Sequence, residues 1–259
     1  MLLALDIGNS NTVIGLFDDQ RLEAAWRLTT ARQQTADEFA LALGGLLDRN
    51  SRAPKNIEGV IVASVVPPLD ATIRAALRIQ FRLEPMFVGP GLKTGMAIQY
   101  DSPADVGADR IANAVAGYAA HGGPLIIVDF GTATTFDVVS AEGNYRGGII
   151  CPGLAIAAEA LFSRTARLQR VEIRDPGRLI GSTTVGSIQS GLYYGYLSLV
   201  DGLIERLRAE LGPETAVIAT GGLAGLIVPG SRHLHTVEEN LTLEGLRLLW
   251  ERNARAGAQ

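Results

Sequence analysis

Asp6-Ile7-Gly8-Asn9-Ser10-Asn11-Thr12 and Asp129-Phe130-Gly131-Thr132-Ala133-Thr134-Thr135 share the pattern D-x-G-x-x-x-T. Each copy lies between two apolar stretches that read as strands, over 2–5 and 12–17 in the first and over 125–129 and 136–140 in the second. Gly8 and the two asparagines suit the positive φ angles that a tight hairpin turn demands. Each half later carries a buried strand, 61–64 or 217–220, that ends in small residues ahead of a helix. A repeat spaced near half the length of a 259-residue chain implies two lobes of one plan rather than a solenoid. The expected boundaries are 1–116 and 117–259, with a ligand cleft between the lobes.

Composition narrows the function classes. Hydrophobic residues make up 47% and charged residues 19%, enough apolar material for a folded core. The net charge of −4 argues against nucleic acid as the main partner. The arginines at 164, 167, 170, 174 and 178 are irregularly spaced and interleaved with Glu172 and Asp175, which reads as a solvated face. A single cysteine, Cys151, excludes an internal disulfide and any multi-cysteine metal site, and it reads as a small buried hydrophobe. The start has no basic stretch before Asp6, and no apolar run reaches membrane-spanning length. A cytoplasmic protein with no membrane partner is expected.

The remaining elements follow from periodicity and caps. Thr35-Ala36-Asp37-Glu38 is a capping box opening a helix with Phe39, Leu43 and Leu46 on one face. A buried strand over 59–66 stops at Pro67-Pro68, and Ile73, Leu77 and Phe81 line the helix after it. Ser102-Pro103-Ala104-Asp105 predicts a helix start, with Ser102 as N-cap, running to about residue 121. A long helix is expected over 185–211, with Ile188, Leu192, Tyr196, Leu199, Leu203 and Leu207 on one face and Gly212-Pro213 ending it. A strand over 216–219 runs into Thr220-Gly221-Gly222, and Leu243, Leu246 and Trp250 mark a last amphipathic helix. His121, His233 and His235 show no partner pattern.

Either D-x-G-x-x-x-T copy alone could be a structural turn; two in matching settings point to phosphate chemistry. Each turn offers backbone N–H groups and hydroxyls to phosphate oxygens, and each aspartate sits at a strand end, where it can hold Mg²⁺ or its water shell. Neither G-x-x-x-x-G-K-[ST] nor G-x-G-x-x-G occurs, which excludes a P-loop kinase and a Rossmann dehydrogenase. The two hairpins together with Ile218-Ala219-Thr220-Gly221-Gly222-Leu223 resemble the superfamily of actin, sugar kinases and acetate kinase. That resemblance implies an α/β fold of two ribonuclease-H-like (actin-like ATPase) lobes, each a mixed β-sheet with flanking helices, and a third motif for adenosine. Tyr100-Asp101-Ser102-Pro103-Ala104-Asp105-Val106-Gly107-Ala108-Asp109-Arg110, taken with DIGNSN, VDFGTATTFD, GGIICPG and IATGGLA, narrows it. The chain resembles the type III pantothenate kinases from Leu3 to about Asn253.

This resemblance implies ATP-dependent phosphorylation of pantothenate to 4'-phosphopantothenate, the first step of coenzyme A synthesis. It implies Asp109 as general base, Arg110 orienting the substrate, and Tyr100, Gly107 and Ala108 lining its pocket. Asp6, Ile7, Gly8, Asn9, Ser10, Asn11, Thr12, Val13 and Thr132 would contact ATP, Asp6 acting on Mg²⁺ indirectly. Asp129 would hold a monovalent cation, K⁺ or NH₄⁺. Thr184 would reach pantothenate at the contact of a homodimer, and it could also cap the long helix. Ser10, Thr183 and Ala157 depart from the family's usual wording without touching the base or the hairpin aspartates. A non-catalytic regulator, or a kinase or phosphatase for another small substrate, would keep the same fold; intact Asp6, Asp109 and Asp129 argue against the first, and the 100–110 stretch against the second.

Overall fold

The computed structural model of the chain describes residues 1–49 and 57–254. Near the N-terminus, β1 (Leu2–Ile7) and β2 (Asn11–Asp18) pair antiparallel, and β3 (Arg21–Thr29) continues the meander. After α1 (Ala36–Arg49), β4 (Gly59–Ser64) returns parallel to β1; α2 (Pro67–Phe81) and a short β5 (Met86–Phe87) follow, giving the order β3-β2-β1-β4-β5. Strand side chains alternate between faces. One face of β1 and β4, Leu3, Leu5, Ile7, Val60 and Val62, packs with Phe39 and Leu43 of α1 and Ile73 and Leu77 of α2. The capping box closes in both directions: the Thr35 N–H donates to Glu38 Oε2 at 2.8 Å and the Glu38 N–H to Thr35 Oγ1 at 3.3 Å.

The helix expected from Ser102 departs from the sequence reading. Pro103–Asp105 forms a single 3-10 turn, Ser102 makes no side-chain cap, and Val106 is extended. The α-helix α3 (Ala108–His121) starts only after Gly107. Proline at the first position sufficed for one turn without a side-chain cap, and the chain then broke at Val106-Gly107 to start again.

The second sheet repeats the first. β6 (Leu125–Phe130) and β7 (Ala133–Val139) pair antiparallel, β8 (Tyr145–Pro152) continues the meander, and β9 (Ala216–Thr220) lies parallel to β6. The order β8-β7-β6-β9 is that of β3-β2-β1-β4. Even the one-residue slip between second and third strands recurs, at Leu16/Phe17 and at Val138/Val139. Helices α4 (Leu154–Ser163), α5 (Thr184–Leu211) and α6 (Ala224–Ile227) bury Leu154, Tyr193, Leu197, Val200, Ile204 and Ile227 with Val128 and Phe136. β8 and α4 carry no clean periodicity, and the sequence reading names neither. Of the expected face of α5, Ile188 and Tyr196 are buried and Leu192, Leu203 and Leu207 pack against the core, while Leu199 is exposed; the buried stripe also takes in Tyr193, Leu197, Val200 and Ile204.

The chain divides into two compact units. One comprises Met1–Met96, Tyr100–Ala116 and Leu241–Gln259, the other Ala97–Gln99 and Gly117–Asn240. This corrects the expected assignment of 117–259 to a single lobe, because α7 (Leu241–Ala254) belongs to the first unit. The reason is packing. α7 covers the face of the first sheet that α1 and α2 leave open, and glycines make room for it. A Cβ on Gly15 would come within 2.9 Å of Leu243, and one on Gly59 would overlap the Trp250 ring. Gly245 likewise lies directly on the Ala112 backbone of α3, and the Thr242 hydroxyl donates to Asn113 Oδ1 at 2.7 Å.

Candidate active site

In the first hairpin the turn comprises Gly8, Asn9 and Ser10, with Ile7 opposite Thr12 and Asp6 opposite Val13. The Gly8 N–H donates to Asn11 O at 3.0 Å. Asn9, Ser10 and Asn11 are exposed, Asp6 is half-buried, and Thr12 is buried. Thr12 therefore supports the turn from behind: its hydroxyl lies 3.0 Å from that of Thr30. Thr30 donates from Oγ1 to Gly8 O at 2.7 Å and from its N–H to Ser10 O at 3.0 Å. Arg32 Nη2 donates to Asn9 Oδ1 at 3.1 Å. Sequence reasoning missed Thr30 and Arg32, since no spacing rule links them to a turn some 20 residues earlier.

The second hairpin is tighter than its sequence copy implies. Ala133, Thr134 and Thr135, read as part of the turn, already belong to β7, and the Gly131 N–H donates to Ala133 O at 3.1 Å. Loop length sets hairpin register. Here Phe130 faces Thr134 and Asp129 faces Thr135, whereas in the first hairpin Ile7 faces Thr12. Thr134, not Thr135, is thus the structural counterpart of Thr12: it is buried and hydrogen-bonded to the Tyr196 hydroxyl. Thr135 sits on the opposite face and donates to Asp137 Oδ2 at 3.1 Å. Backbone surrounds this turn. Gly153 lies so close to Thr132 O that a Cβ there would overlap it, and Gly221, at φ +92°, brings its own Cα against Asp129, whose Oδ1 a Cβ would meet at 2.5 Å.

That contact joins the second hairpin to the 218–223 stretch. β9 delivers Thr220 opposite Asp129, and the Leu223 N–H donates to Phe130 O at 3.4 Å. An edge segment steadies it: the Thr220 hydroxyl donates to Glu238 O at 2.7 Å, and the Glu238 N–H to Ala219 O at 2.8 Å. Two histidines read as solitary have carboxylate partners. His121 Nε2 lies 2.9 Å from Glu238 Oε1, and His233 Nε2 lies 3.0 Å from Glu205 Oε1.

The late start of α3 places Asp109 in the first turn of that helix, next to the Gly107 break. Its Oδ1 accepts the Arg110 N–H at 2.8 Å. Burial pushes the Asp109 carboxyl above its ordinary value, against the Arg110 hydrogen bond and charge, which pull it down. Arg110 is buried, Gly107 half-buried, Ala108 buried, and Tyr100 is 41% exposed. All five belong to the same unit as the first hairpin. Thr184 is the first residue of α5 and exposed, but the cap is Thr183, whose Oγ1 accepts the Gly186 N–H at 3.1 Å. Cys151 is only partly buried, with its thiol pushed up by burial.

Among the described residues no three His, Cys, Asp or Glu side chains gather as a metal cluster. The carboxylates of Asp6 and Asp129, one at the end of each first strand, instead suit a cation completed by water and phosphate oxygens, as Mg²⁺ commonly is.

The family profile described as type III pantothenate kinase matches residues 2–206. The chain is 53% identical to a type III pantothenate kinase of Koribacter versatilis, covering 98% of this chain and 96% of that one. It is 50% identical to the namesake enzyme of Myxococcus xanthus, covering 98% and 99%. The chain belongs to the type III pantothenate kinases. Solved structures place the kinase fold more widely. An activator of 2-hydroxyisocaproyl-CoA dehydratase from Clostridium difficile, solved with bound ADPNP, superposes with a TM-score of 0.60 over 99% of this chain and 96% of that one, at 12% identity. An inorganic polyphosphate/ATP-glucomannokinase from Arthrobacter gives 0.52 over 97% and 98%, at 16% identity. Both are likenesses of fold. No helix of the kinase among the described residues is long and apolar enough to cross a membrane.

Proposed function

We propose that Asp109 is the general base of this pantothenate kinase. ATP and pantothenate are its substrates, 4'-phosphopantothenate and ADP its products, and the reaction is the first step of coenzyme A synthesis. Asp109 takes the proton of the primary hydroxyl as that oxygen bonds to the γ-phosphorus and the bond from γ-phosphorus to the bridging oxygen breaks, leaving ADP. The observation carrying this reading is the Asp109 carboxyl itself, half-buried at a helix start and raised in pKa. A carboxylate nearer neutrality is a better proton acceptor than an ordinary aspartate. The remaining work is positioning and charge neutralisation.

Arg110, Tyr100, Gly107 and Ala108 hold pantothenate, with a forked guanidinium suited to a carboxylate or amide. Asp6, Ile7, Gly8, Asn9, Ser10, Asn11 and Val13 meet ATP phosphates on the first hairpin and Thr132 on the second; Thr12 acts from behind the turn. Mg²⁺, near Asp6, and a K⁺ or NH₄⁺ ion at Asp129 supply charge neutralisation at the phosphates when bound. A homodimer completes the pantothenate pocket with Thr184. Leu179 and Ile180, 68% and 84% exposed a few residues before Thr184, support such a contact. A cytoplasmic location fits the partly buried free thiol.

The test is ADP release from MgATP with pantothenate, with and without K⁺, for wild type and Asp109→Asn. Wild type turns over with pantothenate and K⁺, and the variant loses about 10²–10⁴-fold. Wild-type turnover falls with acid already above pH 3.8, because the base must be ionised and burial raises its pKa. The same burial costs stability once the carboxyl ionises, so Asp109→Asn leaves the melting temperature at pH 7 equal or higher. A wild type that binds ATP but is silent with pantothenate sinks the reading in favour of a regulator or another acceptor.

A further inference from the structure

Two exposed arginines belong to the segment that carries the first hairpin's support: Arg27, opposite Val13 in β3, and Arg32 beyond the end of that strand. Arg21, Arg74 and Arg78 pair with Glu23 or Glu84. The Arg32 side chain instead reaches the turn, where its Nη2 donates to Asn9 Oδ1 at 3.1 Å, and both residues are exposed. It does not act alone. Thr30 already donates to Gly8 O and Ser10 O, so the three successive turn residues Gly8, Asn9 and Ser10 each have an acceptor occupied from the 30–32 segment. The acceptors that would repel a phosphate oxygen are thereby engaged. A guanidinium with further N–H donors is left beside the same turn, and no carboxylate among the described residues forms an ion pair with it. An exposed Arg–Asn bond contributes little stability. A phosphoryl group carries its charge on several oxygens, which a planar fork matches and a point charge does not.

We propose that Arg32 is a catalytic residue whose guanidinium binds the γ-phosphoryl oxygens of ATP, with Asn9 holding it in place. This rests on the reading of the first hairpin as a phosphate site. Phosphoryl transfer spreads negative charge over the transferred group, and a correctly placed arginine lowers that barrier.

Two substitutions separate charge from architecture. Arg32→Gln keeps a donor for Asn9 and removes the charge; Arg32→Lys keeps the charge and loses the fork. The first readout needs no turnover: titration of each protein with MgADP and with the non-hydrolysable imido analogue of MgATP. Arg32→Gln is expected to weaken the analogue about 10-fold and leave ADP within about 2-fold. Equal weakening of both nucleotides would mean a purely structural role, and an unchanged preference for the analogue would mean no contact; either overturns the proposal. In the pantothenate assay Arg32→Gln is expected to lower kcat about 100-fold with the KM for pantothenate unchanged, and Arg32→Lys to recover part of that loss. Equal kcat values for the Gln and Lys variants also overturn it. If Asp109→Asn is inactive while Arg32→Gln turns over like wild type, the arginine assignment alone fails and the kinase reading stands. A wild type silent with pantothenate has the reverse meaning, and the nucleotide titration still decides Arg32.

Discussion

The two hairpins begin with the same letters and are held by different means. At 6–13 the turn is fastened by side chains: Thr12 and Thr30 exchange a hydrogen bond, Thr30 grips two turn carbonyls, and Arg32 holds Asn9. At 129–135 Tyr196 holds Thr134 from behind, and the turn itself is wedged by backbone, with Gly153 on Thr132 and Gly221 on Phe130. A turn held by hydroxyls loses support in steps of one hydrogen bond. A turn held by glycine contacts fails abruptly, since a methyl group there meets main chain that cannot rotate away. The two copies of the D-x-G-x-x-x-T motif are thus expected to differ in which substitutions they tolerate.

The sharpest way to break this contrast is Gly153→Ala. Its Cβ would overlap Thr132 O, so we expect a loss of about 3 kcal/mol or more, read from urea unfolding, together with a large rise in KM for ATP. The corresponding change on the first side, Gly8→Ala, brings a Cβ to 2.9 Å from Asn11 O and should cost clearly less. Equal costs would mean that the first turn is wedged as rigidly as the second.

Thr30→Val comes next. It removes the donor to Gly8 O and the partner of Thr12, and about 1–3 kcal/mol should go with a several-fold rise in KM for ATP and an unchanged KM for pantothenate. A variant with wild-type affinity for ATP would show that the turn holds its shape without the hydroxyl. The smallest expected effect tests the register. Thr134→Val, losing the buried bond to Tyr196, should destabilise by about 1 kcal/mol, whereas Thr135→Val should cost less because Asp137 keeps the Tyr145 hydroxyl at 2.8 Å. The opposite order would restore Thr135 as the partner of Thr12.

Much of the fold was legible because its signals are local. Apolar strands beside Asp-Gly turns, the Thr35/Glu38 box and the Gly212 stop each depend on neighbours within a few residues. β8 and α4 were not legible, lacking clean periodicity, and the false helix start at Ser102 shows that a serine–proline signal can yield a single turn with no cap from the serine side chain. The site was legible in part. Asp6, Asp109 and Asp129 came from motifs, while Thr30, Arg32 and Gly153 reach their turns only through folding.

The sequence by itself determined the repeated strand–turn–strand plan and the acidic residues at the strand ends and helix start, because these rest on short-range pattern and spacing. Tertiary structure alone decided three things. One is the return of α7 to the first sheet, where glycines at 15 and 59 open a face to it. Another is the late start of α3, which fixes where Asp109 stands. The third is the one-residue difference between the hairpins, which puts Thr12 and Thr135 on non-equivalent faces. Strand side chains alternate with period two, so a loop shorter by one residue turns an apparent sequence match to the opposite side of the sheet.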